Sequence, residues 1–170
     1  MSTPEPYGDP ASCSELGGTL RRAAARLGDG RDALRPGLAG LGRRDGRAAS
    51  RVADELALLD RTIECLDEAG AALQRYATEL AELGEAARVR RARVEAGGLV
   101  LEQWRVSEPW GPSGVDDAMA RREAVPALQQ QADQLHARIA RARALLLRTV
   151  SDLDGALSRQ SARVRQGLGR

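Results

Sequence analysis

The sequence predicts an all-α fold, an elongated antiparallel three-helix bundle or helical hairpin with coiled-coil-like packing, and three observations predict it. An apolar residue recurs at every seventh position, at Val52, Leu59, Leu66, Leu73, Leu80, Ala87, Val94 and Leu101. A second position of the same repeat falls on Leu56, Ile63, Gly70, Ala77 and Gly84, narrowing from bulky to small. Such a repeat belongs to a helix that lies along other helices. The composition agrees: Ala, Leu, Arg, Glu and Gly dominate, Phe is absent and aromatics make up 2%, as in long helices packed through small side chains.

Residues 1–11, with Pro4, Pro6, Gly8 and Pro10, read as a disordered leader. A single elongated helical domain follows over 12–166. Its first helix spans about 12–42 with Leu20, Leu27, Leu34 and Leu41 seven apart. Gly28-Asp29-Gly30 and then Pro36-Gly37 interrupt that helix, because an interior Pro costs about 3 kcal/mol, and the reading is a broken or kinked segment whose pieces lie along one line. A turn over 40–46 leads to the long helix, placed at 47–106 and weakened at Gly97-Gly98, where each glycine costs about 1 kcal/mol against Ala. Pro109 and Pro112 close it off.

Ser107 to Pro112 form the hairpin tip, and Ser113 with Asp116 opens a last helix over about 114–165. Its apolar stripe is Val125, Leu128, Ala132, Leu135, Ile139, Ala142, Leu146, Val150, Leu153 and Leu157, with Pro126 as a kink or a later start. Residues 167–170 read as a frayed tail. A turn centred on Trp110 brings Glu79 and Glu82 opposite Arg141 and Arg138, Arg88 and Arg91 near Asp133, and Arg105 to Asp116.

Function classes fall away in turn. All 26 cationic side chains are Arg, and the formal charge is only +2, so bulk attraction to nucleic acid or anionic membrane is unremarkable. Missing Lys beside abundant Ala, Gly and Arg reads as high-GC coding. Arg88, Arg90, Arg91 and Arg93 fan around the helix with no interleaved aromatic, the pattern of a solvated face rather than a nucleic-acid footprint. Cys13 and Cys65 are too few for a metal knuckle and read as ordinary thiols. No secretory signal sequence and no window of membrane-span length is present, so the protein reads as cytoplasmic when made, without membrane insertion. Asp133-x-x-His136 with Glu82 and Glu85 supplies half of a helical di-metal set, and His136 reads instead as an ordinary exposed side chain. No catalytic residue, cofactor or metal is expected.

Partner binding remains, with another helical protein or with itself, as homo- or heterodimer. Trp104 and Trp110 are either a plug at the hairpin tip or an anchor in a partner. Gly70, Ala77 and Gly84 either pack the protein's own last helix or form a groove for another chain.

Two stretches carry a family resemblance: Gly-Arg-Arg-Asp-Gly-Arg-Ala-Ala at 42–49, and Gly-Ala-Ala-Leu-Gln-Arg-Tyr-Ala-Thr-Glu-Leu at 70–80. With the Leu-spaced first helix, they make the first hundred residues resemble the WXG-type helical hairpins of type VII (ESX) secretion systems, especially the amino-terminal domains of actinobacterial secreted proteins. Gly46 matches the family's turn motif, while Arg44 stands where its Trp falls. Leu80 occupies the place of the acidic residue four positions after the export-signal Tyr, here Tyr76. The resemblance implies a non-enzymatic helical component of such a system, either secreted or the binding partner of a secreted effector. The alternative is a cytoplasmic coiled-coil scaffold or adaptor unrelated to secretion.

Overall fold

The computed structural model describes residues 9–42, 46–111 and 114–168. They form an all-α bundle of three helices with one small two-stranded sheet. The elements are α1 (Pro10–Gly42), α2 (Gly46–Ala96), β1 (Val100–Glu102), β2 (Arg105–Ser107) and α3 (Val115–Leu168).

α1 begins before the point at which the leader was expected to end. Pro10 opens the helix, where its missing N–H is harmless. The Asp9 carboxylate accepts hydrogen bonds from the Ser12 hydroxyl at 2.7 Å, from the Ser12 amide at 3.0 Å and from the Ala11 amide at 3.2 Å. This is an N-cap that satisfies two otherwise orphaned donors. These bonds, led by the Ser12 hydroxyl, hold the Asp9 carboxyl below its ordinary range. A depressed carboxyl stabilises the fold above the ordinary Asp range and loses that effect as pH falls through its own lowered value.

The breaks expected in α1 do not occur: Gly28, Gly30, Pro36 and Gly37 all lie inside one helix. Residues 32–37 are exposed, so water can take up the carbonyl that Pro36 leaves without a donor. Pro126 likewise sits inside α3, at an exposed position. The expected turn at 40–46 centres on 43–45, outside the described residues, as do 1–8 of the leader and 169–170 of the tail. Gly167 and Leu168 continue α3.

The chain clusters into two compact units. One comprises the described parts of Gly8–Ala77 and Leu145–Arg170. Here α1 runs antiparallel to α2: Gly17 meets Gly70, Arg21 meets Asp67, and Arg31 pairs with Asp60 farther along. The approach is backbone to backbone. A Cβ on Gly70 would lie 2.6 Å from the Gly17 carbonyl oxygen, and one on Gly17 would lie 2.7 Å from that of Gly70. Arg21 spans the contact, donating through Nε to Asp67 at 3.0 Å and through Nη1 to Gln74 at 3.2 Å. Arg31 binds Asp32 and Asp60 together. On the other side of α2, Thr62 Oγ1 lies 3.2 Å from Gln160 Oε1 of α3, close to the register that a hairpin turning at Trp110 requires.

The second unit is Thr78–Ala144. Its α3 portion buries Leu128, Ala132, Leu135, Ile139 and Ala142, five members of the expected stripe at alternating steps of four and three. From α2 it buries Leu80, Leu83 and Val94. The interhelical ion pairs expected here are not made among the described residues. Arg88 turns back to Glu85 one turn away, at 2.8 Å, and Asp133 accepts from Gln129 at 2.7 Å. Charged side chains of this length find partners on their own helix without holding a second helix in register. The Asp116 side chain lies outside the described residues.

The glycine contact makes a paired prediction. Gly70→Ala should destabilise the fold by about 1–3 kcal/mol, since the new methyl meets a backbone carbonyl that cannot yield. Gly28→Ala, where a Cβ meets nothing within 4 Å, should stabilise it by about 0.5–1 kcal/mol. Thermal melts followed by circular dichroism measure both, and equal shifts of the same sign would contradict the backbone contact.

Candidate functional site

α2 ends at Ala96, so the expected helix over 97–106 is a hairpin instead. Gly98 takes φ +66°. The Leu99 amide donates to Val94 O at 3.1 Å, and the Gly98 amide to Glu95 O at 2.9 Å. These two bonds define a Schellman cap, and its usual apolar contact is present because Val94 and Leu99 share one buried cluster. Gly98 is therefore a helix terminator, not a weak point within a helix. Arg121 lies against it, with Cδ and Nη1 3.5 Å from the place a Cβ would occupy. A cation there faces the negative end of the α2 dipole, which accounts for a guanidinium whose buried Nε and Nη2 make no hydrogen bond.

β1 and β2 pair antiparallel, Val100 with Ser107, Leu101 with Val106, and Glu102 with Arg105. Their two-residue loop is Gln103-Trp104, at φ 47° and 68°. Positive φ at both positions is what a type I′ turn demands, and Asn-Gly usually supplies it. A side chain in this region costs about 1–2 kcal/mol per residue. α3 offsets the strain. Gln129 Nε2 donates to the Trp104 carbonyl at 3.0 Å, and Gln129 Oε1 accepts from the Val106 amide at 2.7 Å. The Trp104 indole stacks on the His136 imidazole, with centroids 5.5 Å apart and planes 7° from parallel. Beneath the hairpin, Val94, Leu99, Val106, Leu128 and Ala132 are buried together, with Trp104 packed at their edge.

The candidate binding residues therefore divide. Trp104 is half-buried and fixed to its own fold, whereas Trp110 is wholly exposed; the two indoles do not form a joint plug. Gly70 is buried against α1, so the partner of that small residue is the first helix and not the last. Ala77 is buried and Gly84 half-buried. Gly46 is the first residue of α2. His136 is exposed, as expected, but the sequence reading missed its stacking role, which needs the hairpin to be visible.

Uncovered apolar surface also lies elsewhere. Small Gly17 and Ala24 are buried, while the leucine column beside them stays open: Leu16 is 52% exposed, Leu27 38% and Leu34 59%. On α3, Leu145 and Leu147 are exposed as well. Between α2 and α3 of the same unit, an open groove is lined by the apolar Leu58, Leu59 and Leu157 together with the polar Glu55, Thr62 and Gln160.

Among the described residues, no group of three or more His, Cys, Asp or Glu side chains is placed to hold a metal ion, and no helix is long and apolar enough to cross a membrane. Cys13 and Cys65 are free and half-buried. Burial first, then Glu68 and Glu64, push the Cys65 thiol above its ordinary value. Comparison with protein-family models, with curated proteins and with solved structures returns no match.

The strained loop can be tested from both sides. Gln103→Gly should raise stability by about 1 kcal/mol by removing a side chain from the left-handed region. Gln129→Leu should lower it by about 1–3 kcal/mol by leaving the Val106 amide and the Trp104 carbonyl without their partner. Denaturant titration reads both, and a neutral Gln129→Leu would show that α3 does not hold the turn.

Proposed function

We propose that the chain is a non-enzymatic helical interaction protein associated with a type VII (ESX-like) secretion system, acting as a secreted component or as the binding partner of a secreted effector. The observation that carries the interaction role is the leucine column of α1, open to solvent along a helix whose buried face is made of small residues. Exposed apolar surface arranged in a row is a feature of association sites, whereas scattered exposed leucines are ordinary. Helical partners recognise such a row through side chains spaced at i, i+3, i+4 and i+7.

The secretion setting is supported by the resemblance of residues 42–49 and 70–80 to the family's turn and second helix. In keeping with that likeness, α1 and α2 form an antiparallel helical pair, and Tyr76, Ala77 and Leu80 of the matching run are buried.

The test is affinity capture of the tagged full chain from its native host, followed by mass spectrometry, with Leu34→Asp in parallel. The expected result is recovery of a helical protein that belongs to, or leaves the cell through, a type VII apparatus, with at least about tenfold less recovered by the variant. A recovered partner with no tie to secretion would sink the secretion setting alone. Capture unaffected by Leu34→Asp would remove the leucine column from the binding role.

A further inference from the structure

The open face of α1 has a repeat of its own. Leu20, Leu27 and Leu34 are seven apart, preceded by Cys13 in the same register. The second seam position holds Leu16, Ala23, Gly30 and Gly37. Steps of four and three alternate between the two positions, as in a coiled-coil seam. One position is large and the other almost entirely small. At Gly30 and Gly37 a Cβ would meet nothing within 4 Å, so these glycines serve no contact inside the described fold. They leave notches beside exposed leucines.

From this we infer that the face binds a second copy of the same helix, antiparallel and related by a two-fold axis close to residue 25. The inference rests on the interaction role proposed above and names the occupant of that surface. In an antiparallel pair, each layer joins one seam position of one helix to the other seam position of its partner. With the axis at residue 25, Leu20 faces Gly30 of the second copy, Leu27 faces Ala23, Leu34 faces Leu16, and Cys13 faces Gly37. Three of the four pairings set a larger side chain against a small one, and the fourth joins Leu34 to Leu16, giving the complementarity a packed core requires. A parallel pair would stack Ala23, Gly30 and Gly37 each on its own equivalent, opening voids between leucine layers, and voids are destabilising. Self-complementarity of this kind is what a two-fold interface demands.

Charge selects the register. On the outer flank, Arg22 of one copy comes opposite Asp29 of the other, twice by symmetry. Sliding the pair by one heptad in either direction brings Arg22 onto Arg22 with Glu15 onto Asp29, or Asp29 onto Asp29. Arg26 lies near the axis opposite its own copy, with Asp29 one turn along each helix to offset it. The inner flank is already taken, because Arg31 is bound by Asp32 and Asp60.

The native Cys13 makes the orientation measurable. In a Cys65→Ser background, which leaves Cys13 as the one thiol, sedimentation of the full chain should show a dimer at about 100 μM, a concentration at which micromolar affinity is saturated. Leu27→Asp should weaken that dimer at least about tenfold with unchanged helicity, since Leu27 is already partly exposed within the chain. Adding Gly37→Cys to the same background should give, on mild oxidation, a covalent dimer whose linked peptides join Cys13 to residue 37. A chain monomeric at that concentration overturns the inference, even where it still captures another helical protein, which leaves the interaction role standing. Exclusive Cys13–Cys13 linkage, meaning a parallel pair, overturns it too, as does a dimer indifferent to Leu27→Asp.

Discussion

The mutual approach of Gly17 and Gly70 determines which face α1 turns inward. Each α-carbon stands so close to the other residue's carbonyl oxygen that no side chain fits between them. Helices that meet through glycine and alanine come nearer than those meeting through leucine, and bulky neighbours are left at the shoulder of the contact. In α1 those neighbours are Leu16, Leu27 and Leu34, which remain open although their spacing is that of a buried seam. Arg21 and Arg31 then fix the pair laterally through Asp67 and Asp60. Exposed ion pairs of this kind add only about 0.2–1 kcal/mol each, so steric fit sets the geometry and the charges refine it.

In the Thr78–Ala144 unit a different constraint governs: the end of α2. A helix that ran on to residue 106 would carry Leu99 and Val106 onto faces set by its own period. The Schellman cap at Gly98 stops it instead and returns Leu99 onto Val94. The hairpin that follows folds Val106 into the same cluster. Its loop has the wrong residues for its conformation, and the strain persists because Gln129 and His136 of α3 hold the Trp104 backbone and ring. Strained non-glycine residues survive where their surroundings over-determine them.

Much of this was legible before any coordinates. The seven-residue repeat announced the helices, and the α3 stripe from Leu128 to Ala142 named the buried residues of that helix correctly. Three things were not legible, each for a physical reason. Pro36 and the glycines of α1 signal a break by local propensity, but tertiary contacts and solvent access override propensity. Gly97-Gly98 is ambiguous between bend and cap, and the discriminating sign was Leu99 five residues after Val94, the apolar pair of a Schellman motif. The Gln103-Trp104 turn carries no turn residues at all, so its hairpin becomes visible only with Gln129 in place. Of the small residues in the α2 seam, Gly70 was recognised as a contact point for either the last helix or another chain, and its partner is the first helix, which neither alternative named. Sequence spacing identifies a close approach without identifying what approaches.

The absence of Phe gives these details a common consequence. A core mostly of Ala, Val and Leu, with Tyr76 and Ile139 its only other large members among the described residues, removes little apolar area per residue from water, at roughly 25 cal/mol for each Å². Stability must then accumulate over many shallow layers, which long helices provide. Shallow layers also leave apolar surface over: the α2 seam at Val52, Leu59, Leu66 and Leu73 is only half-buried, and the α1 leucines less so. A helical protein that closes its interior with glycine keeps its larger side chains available at the surface. Another helix can then cover them without disturbing what lies beneath. The same narrow glycine contact that holds α1 in place therefore leaves Leu16, Leu27 and Leu34 uncovered at its shoulder.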